Sequence, residues 1–193
     1  MTATMTGFFS EYVATRPRRL TALFIVGNFA FFAALLAVMF YLRSVSEDWP
    51  VPFHFASLLM VSALTMFALC ASVTVAIGAR AARTEPTSEP AVRWIAIAIS
   101  SWFLFLFLEI VEWVRLVYLE GLGPYTAFGG TFLALTFTHW VAATGLTGWF
   151  CYVAADVKKR DILAAALYSH FLNLWWIVLV ITLYFFNADI SGI

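Results

Sequence analysis

Five stretches of this chain are each long and apolar enough to cross a bilayer, and that feature constrains the fold more than any other. They cover residues 20–41, 55–79, 94–118, 127–153 and 162–187. A hydrocarbon core about 30 Å thick needs roughly 20 helical residues. The expected fold class is therefore all-α: a polytopic membrane protein with a bundle of five transmembrane helices in a single domain over residues 1–193. Composition agrees, because 63% of the chain is hydrophobic and only 11% charged. A soluble domain of 193 residues could not hide that much apolar surface.

The segments between the runs carry turn chemistry. "SEDWPVP" and "EGLGP" hold glycine and proline, and "RTEPTSEP" is polar and twice broken by proline. No soluble domain and no internal repeat fits between the spans. The N-terminal "MTATMTGFFSEYVATRPRRL" does not read as a signal peptide. Its basic cluster follows a mixed polar segment, and the apolar run after it is long enough to span.

Eleven basic residues balance eleven acidic ones, so net charge points to no nucleic acid. Their placement is more informative. Arg16, Arg18, Arg19, Arg80, Arg83, Arg93, Lys158, Lys159 and Arg160 fall on one side of the expected membrane, and only Arg43 and Arg115 on the other. The positive-inside rule then puts the N-terminus in the cytoplasm and the C-terminus outside. Trp49, Trp94, Trp149 and Tyr118 lie near span ends, as an interfacial aromatic belt requires. Cys70 and Cys151 sit in apolar runs without a metal-ligand neighbour and read as inert thiols.

Against this background the polar residues inside the spans stand out: Asn28, Glu109, Glu112, His139, His170 and Asn173. Glu109 and Glu112 share one helix face, with Arg115 three positions further along it. A carboxylate in hydrocarbon is costly and faces protein or water. Two readings stand open: a proton or cation site, or a structural carboxylate paired with Arg115 or bonded across helices. His139 and His170 are the only deep histidines, since His54 lies at the end of the second run. They could serve as a pair of haem ligands, or each could be an interhelical hydrogen-bonder. Glu112 has no histidine three residues on, so the di-iron Glu-x-x-His pattern is absent. Ala142, Ala143, Thr144, Gly145, Thr147 and Gly148 form a run of small residues that lets another helix approach.

The order of these motifs resembles a known family. "LFIVGNFAFFAALLAVMFYL" is similar to its opening helix, and "FLFLEIVEWVRLVYLEGLGP" to its acid-or-glutamine, two residues, glutamate–aromatic helix with a short glycine–proline loop. "GGTFLALTFTHWVAATGL" and "LYSHFLNLWWIVLVITLYFF" are similar to the two helices that follow. Together they resemble subunit III of the haem-copper oxidases in its five-helix bacterial form, which includes relatives associated with nitric oxide reductase. The resemblance runs from about Leu20 to Phe186.

The resemblance implies that Glu112 and His170 tie helices together inside the subunit. It also implies that no haem or metal binds here, so that no catalytic centre lies in this chain and haem and copper belong to partner subunits. His139 matches the first histidine of a family H-x-x-H, whose second is Ala142 here. Asn173 stands where an aspartate is usual, Asn28 where an acid is usual and Ser169 where a tryptophan is usual. The family acid at position 28 is the candidate link to proton uptake; an amide cannot titrate. The implied role is a noncatalytic accessory subunit of a terminal oxidase, stabilising the catalytic subunit and supporting proton uptake from the cytoplasm. It would sit in the bacterial cytoplasmic membrane, beside catalytic subunit I, subunit II and lipids, within aerobic respiratory electron transport. Rival readings are an accessory subunit of a nitric oxide reductase, a transporter, and a small membrane cytochrome or metalloenzyme built on His139, His170, Glu109 and Glu112. Two contacts are expected: Glu112 bonded within the bundle around His170, and Asn28 bonded to a helix of the catalytic partner.

Overall fold

A computed structural model describes residues 2–47, 49, 57–84, 87–157 and 160–185, and shows five helices with no strand among them. Helix α1 runs Thr2–Val45, α2 Leu58–Thr84, α3 Glu89–Val114, α4 Ala127–Ala154 and α5 Ile162–Val180. Two of them end in a wider π-helical turn, Arg115–Leu119 after α3 and Ile181–Phe185 after α5. His54, Lys158 and Lys159 lie outside the described residues.

Local chemistry explains the boundaries. Asp161 caps α5 by accepting from the backbone N–H groups of Leu163 and Ala164 at 3.0 and 3.3 Å. Thr126 caps α4 by accepting from Gly129 N at 3.0 Å, and the Ser57 hydroxyl accepts from Met60 N at the start of α2. Each satisfies a donor that the first turn leaves free. Proline stands in the first turn of α3, where no N–H is needed. At the far end of that helix, Glu120 N donates to Arg115 O and Leu122 N to Leu116 O. Gly121, at φ 73°, then takes the left-handed conformation that turns the chain out.

Helices α2, α3, α4 and α5 form a ring in which each packs against the next and α5 closes back on α2; α1 lies outside it, in the groove between α4 and α5. The inner surface is filled by Trp102, Phe105, Leu135, His139, Leu172 and Trp176, all 2% exposed or less. The α2–α3 seam is made of small residues, among them Ala68, Ala71, Ala79, Ala91 and Ala98. Gly78 completes it: a Cβ there would stand 3.2 Å from Trp94 Cβ and 3.4 Å from the Ala91 carbonyl oxygen. Lipid tails are as apolar as leucine, so helices in a bilayer associate through such close packing and through interhelical hydrogen bonds.

Four helices are long and apolar enough to cross a membrane: α1 from Arg19, α2, α3 with its π turn, and α5 with its π turn. This supports a multi-pass membrane protein. Helix α4 differs. At 28 residues it has the length, but its threonines, glycines, tryptophans and histidine lower its hydropathy below that of the others. Helix α4 is flanked by α1, α3 and α5, so Thr136, His139 and Thr147 meet protein, while Thr144, Gly145 and Gly148 stay exposed. Helix α1 is the opposite case. Of its residues from Arg19 onward it buries a narrow stripe, with Thr21, Phe32 and Met39 at the contact, and exposes Leu23, Phe24, Val26, Phe29 and Phe31.

Candidate functional site

Seven side-chain hydrogen bonds among the described residues serve as rungs between neighbouring helices. Trp176 Nε1 of α5 donates to Thr65 of α2 at 3.1 Å, and two turns away Ser72 of α2 bonds to His170 Nδ1 of α5 at 2.5 Å. Trp113 Nε1 of α3 donates to Thr136 of α4 at 3.0 Å, while Trp140 Nε1 of α4 donates back to the Leu106 carbonyl of α3 at 3.1 Å. His139 Nε2 of α4 bonds to the Leu172 carbonyl of α5 at 3.2 Å. The Tyr168 hydroxyl of α5 donates to Asn28 Oδ1 of α1 at 3.3 Å. Even the small-residue seam between α2 and α3 has a weak rung, Ser101 Oγ to Cys70 Sγ at 3.5 Å.

One sequence expectation is met within the chain and another is corrected by this geometry. Asn28 bonds to a neighbouring helix, here α5: its amide oxygen accepts from Tyr168, while its nitrogen donates to the Phe24 carbonyl at 2.9 Å. Glu112 is not held by His170. It forms a two-point ion pair with Arg115, Nε to Oε2 and Nη2 to Oε1, each at 2.8 Å. Arg115 also reaches Glu120 at 2.9 Å, so one guanidinium bridges a buried and an exposed carboxylate. His170 is exposed and faces α2.

His139 and His170 have different surroundings. His139 is fully buried, with the rings of Phe105, Trp176 and Trp102 at 5.5, 5.4 and 6.4 Å. His170 opens to a groove beside α2. An axial pair for one haem would need both imidazoles turned to a common space, and these two face different neighbours.

A second set of polar groups is buried without a hydrogen-bond partner among the described residues. It comprises both carboxyl oxygens of Glu109, His139 Nδ1, both amide atoms of Asn173, Ser169 Oγ, and the indole nitrogens of Trp102 and Trp175. On α3, Trp102, Glu109 and Glu112 share one buried face, and on α5 Ser169, Asn173 and Trp176 do the same. Tyr184, in the π turn after α5, lies within electrostatic reach of Glu112, Glu109 and Arg115. The two helix faces thus carry polar groups from Ser169 at one end to the Glu112–Arg115 pair at the other. Buried polar groups at this density are expensive, and an intramembrane carboxyl is by default a candidate functional group.

Sequence reasoning missed Thr65, Ser72, Thr136, Tyr168 and Tyr184. Thr65 and Ser72 had a legible signal, since two hydroxyls seven residues apart mark one face of a membrane helix. No family model matches the chain, and no curated protein matches it.

Proposed function

We propose that this chain is a noncatalytic accessory subunit of a haem-copper terminal oxidase, equivalent to subunit III. The observation that carries this reading is the use of its polar residues. Asn28, Glu112, His139 and His170 lie on four different helices, and each engages a neighbour within the chain through a helix-to-helix bond or an ion pair. That is what a scaffold requires. The order of the motifs supplies the family, and haem and copper belong to the neighbouring subunits.

The docking face in this reading is the one that α1 and α4 share. A Cβ added at Gly145 or Gly148 of α4 would meet no heavy atom within 4 Å, so another helix can come close there. Beside them a cavity of about 420 Å³ is lined by Phe31, Asn28, Ala142, Gly145 and Tyr168. The chain lies in the bacterial cytoplasmic membrane with five spans, α4 included, and with the N-terminus inside. It stabilises catalytic subunit I during reduction of O2 to water. Proton uptake through position 28 is not part of the role, because an amide does not titrate.

The second reading is a small membrane cytochrome or metalloenzyme. The unpartnered Glu109, Asn173 and His139 Nδ1 favour it. Solubilising membranes in a mild detergent and identifying the chains that co-purify separates the readings. A haem-containing catalytic subunit with oxidase activity is expected. A nitric oxide reductase in its place would assign the chain to that complex, and haem or metal retained by this chain alone would overturn the accessory role.

A further inference from the structure

Glu109 is a buried ionisable group that the helix-to-helix bonds leave unused: neither of its carboxyl oxygens has a partner among the described residues. Its surroundings differ on its two sides. One turn toward the start of α3 lies a layer of rings. Phe105 of α3 meets Trp176 of α5 at 4.9 Å between centroids, and His139 of α4 lies against both, at 5.5 and 5.4 Å. Beyond that layer the buried face of α3 runs through Trp102 to Ala98, Ile95 and Ala91. The buried face of α5 ends likewise in Ala166, Ala165 and Ile162.

Toward the loop between α3 and α4 the chemistry is polar. Glu112 and Arg115 follow Glu109 at three-residue steps. Tyr184, whose ring stands 5.7 Å from that of Phe132 on α4, is within electrostatic reach of all three. Arg115 in turn pairs with Glu120, whose side chain is 43% exposed. Polar groups thus join Glu109 to one surface of the bundle, while packed rings and alanines shut it off from the other. Water can follow such a line, since each group on it donates or accepts. A metal ion needs several acceptors together, and the described residues include no group of three or more His, Cys, Asp or Glu side chains that could hold one.

We propose that Glu109 is a one-sided proton site, which takes up and releases a proton through water admitted at the Arg115–Glu120 end. On release the carboxyl O–H bond breaks. The proton passes to a water molecule and out past Tyr184 and Glu120, and the charge stays on the carboxylate, two turns from Arg115. Uptake is the reverse, and no electron moves. The ionisable groups around the site are Glu112 and Arg115 on α3, His139 on α4 and Tyr184 after α5; residues 58–69 of α2 include none. The inference concerns this chain alone and does not rest on the oxidase reading.

The test is infrared spectroscopy of the full chain in lipid nanodiscs, taken as the difference between wild type and Glu109→Gln. Wild type should show a carboxyl C=O band at the high frequency of apolar surroundings, rising and falling reversibly with pH. The band should be lost in Glu109→Gln and kept in Glu109→Asp. Transfer to D2O should shift it at once. Tyr184→Phe should slow that shift severalfold, and Trp102→Phe, on the closed side, should leave it unchanged. A carboxyl with a purely structural role would neither titrate nor exchange. Liposomes carrying the chain, with potassium and valinomycin setting the voltage, should leak protons no faster than empty ones. A Glu109 band that never titrates, or that keeps its proton overnight in D2O, overturns the proposal. A proton leak through the chain overturns its one-sidedness.

Discussion

Glu109 and Glu112 lie one turn apart on α3, and both are almost fully buried, at 2% and 1% exposure. Their circumstances nevertheless differ. Glu112 has Arg115 three residues on and is gripped at two points. Glu109 has Glu112 at the same spacing and no partner for either oxygen among the described residues. Burial alone therefore does not define the role of an intramembrane carboxyl. The residue one turn further on does, because helical neighbours at i+3 and i+4 are the partners a side chain meets without tertiary help. The paired carboxylate is part of the scaffold, joined through Arg115 to the loop that Glu120 begins. The unpaired one is the group the scaffold does not explain.

The comparison would be broken most decisively at Arg115. Arg115→Ala should leave the Glu112 charge buried and alone, and destabilise the bundle by about 3 kcal/mol. That is the lower end of the range for such breaks, because the Arg115 side chain is itself 20% exposed. Thermal unfolding of the detergent-solubilised chain measures it. A change within about 0.5 kcal/mol would mean that Glu112 does not need its cation.

A smaller effect is expected at the buried histidine. His139→Phe keeps the aromatic packing but removes the bond to Leu172, and should cost between about 0.6 and 1.7 kcal/mol, the usual span for an interhelical bond in a membrane. A markedly larger loss would show that Nδ1, which has no partner among the described residues, holds something that the phenyl ring cannot.

The two carboxyls themselves give the sharpest contrast. Glu112→Gln should destabilise, because it removes half of an ion pair. Glu109→Gln should be neutral or stabilise by up to about 1 kcal/mol, since it removes an ionisable group that has no counter-charge. If both variants lose stability alike, the distinction between them fails. If Glu109→Gln folds normally yet abolishes turnover of the oxidase complex proposed above, Glu109 belongs to the chemistry.

The smallest effect belongs to Asn28→Leu, which should cost about 0.6 kcal/mol through loss of the Tyr168 bond and leave the pH dependence of turnover in the proposed oxidase complex unchanged. A shifted pH profile would mean that the amide organises a proton path.

Part of this was legible in the chain itself. Runs of more than 20 apolar residues must be helical where no water can satisfy the backbone, and four of the five expected spans appear as long apolar helices. The turn after α3 was written in "EGLGP", where Gly121 supplies the positive φ that a glycine tolerates freely. The spacing of Glu112 and Arg115 was enough to offer their pairing as one of two readings. What only the tertiary structure decided was which side of each helix faces protein. In a soluble helix the polar face announces the surface, but in a bilayer both lipid and core are apolar, so periodicity says little about orientation. Hence Asn28 was expected to meet another subunit and met Tyr168, and His170 was expected near Glu112 and turned instead to Ser72. The hydrogen-bonding tryptophans were invisible for the same reason. An indole counts as apolar in a sequence, and only the packed bundle sets its N–H against a threonine or a carbonyl of the next helix.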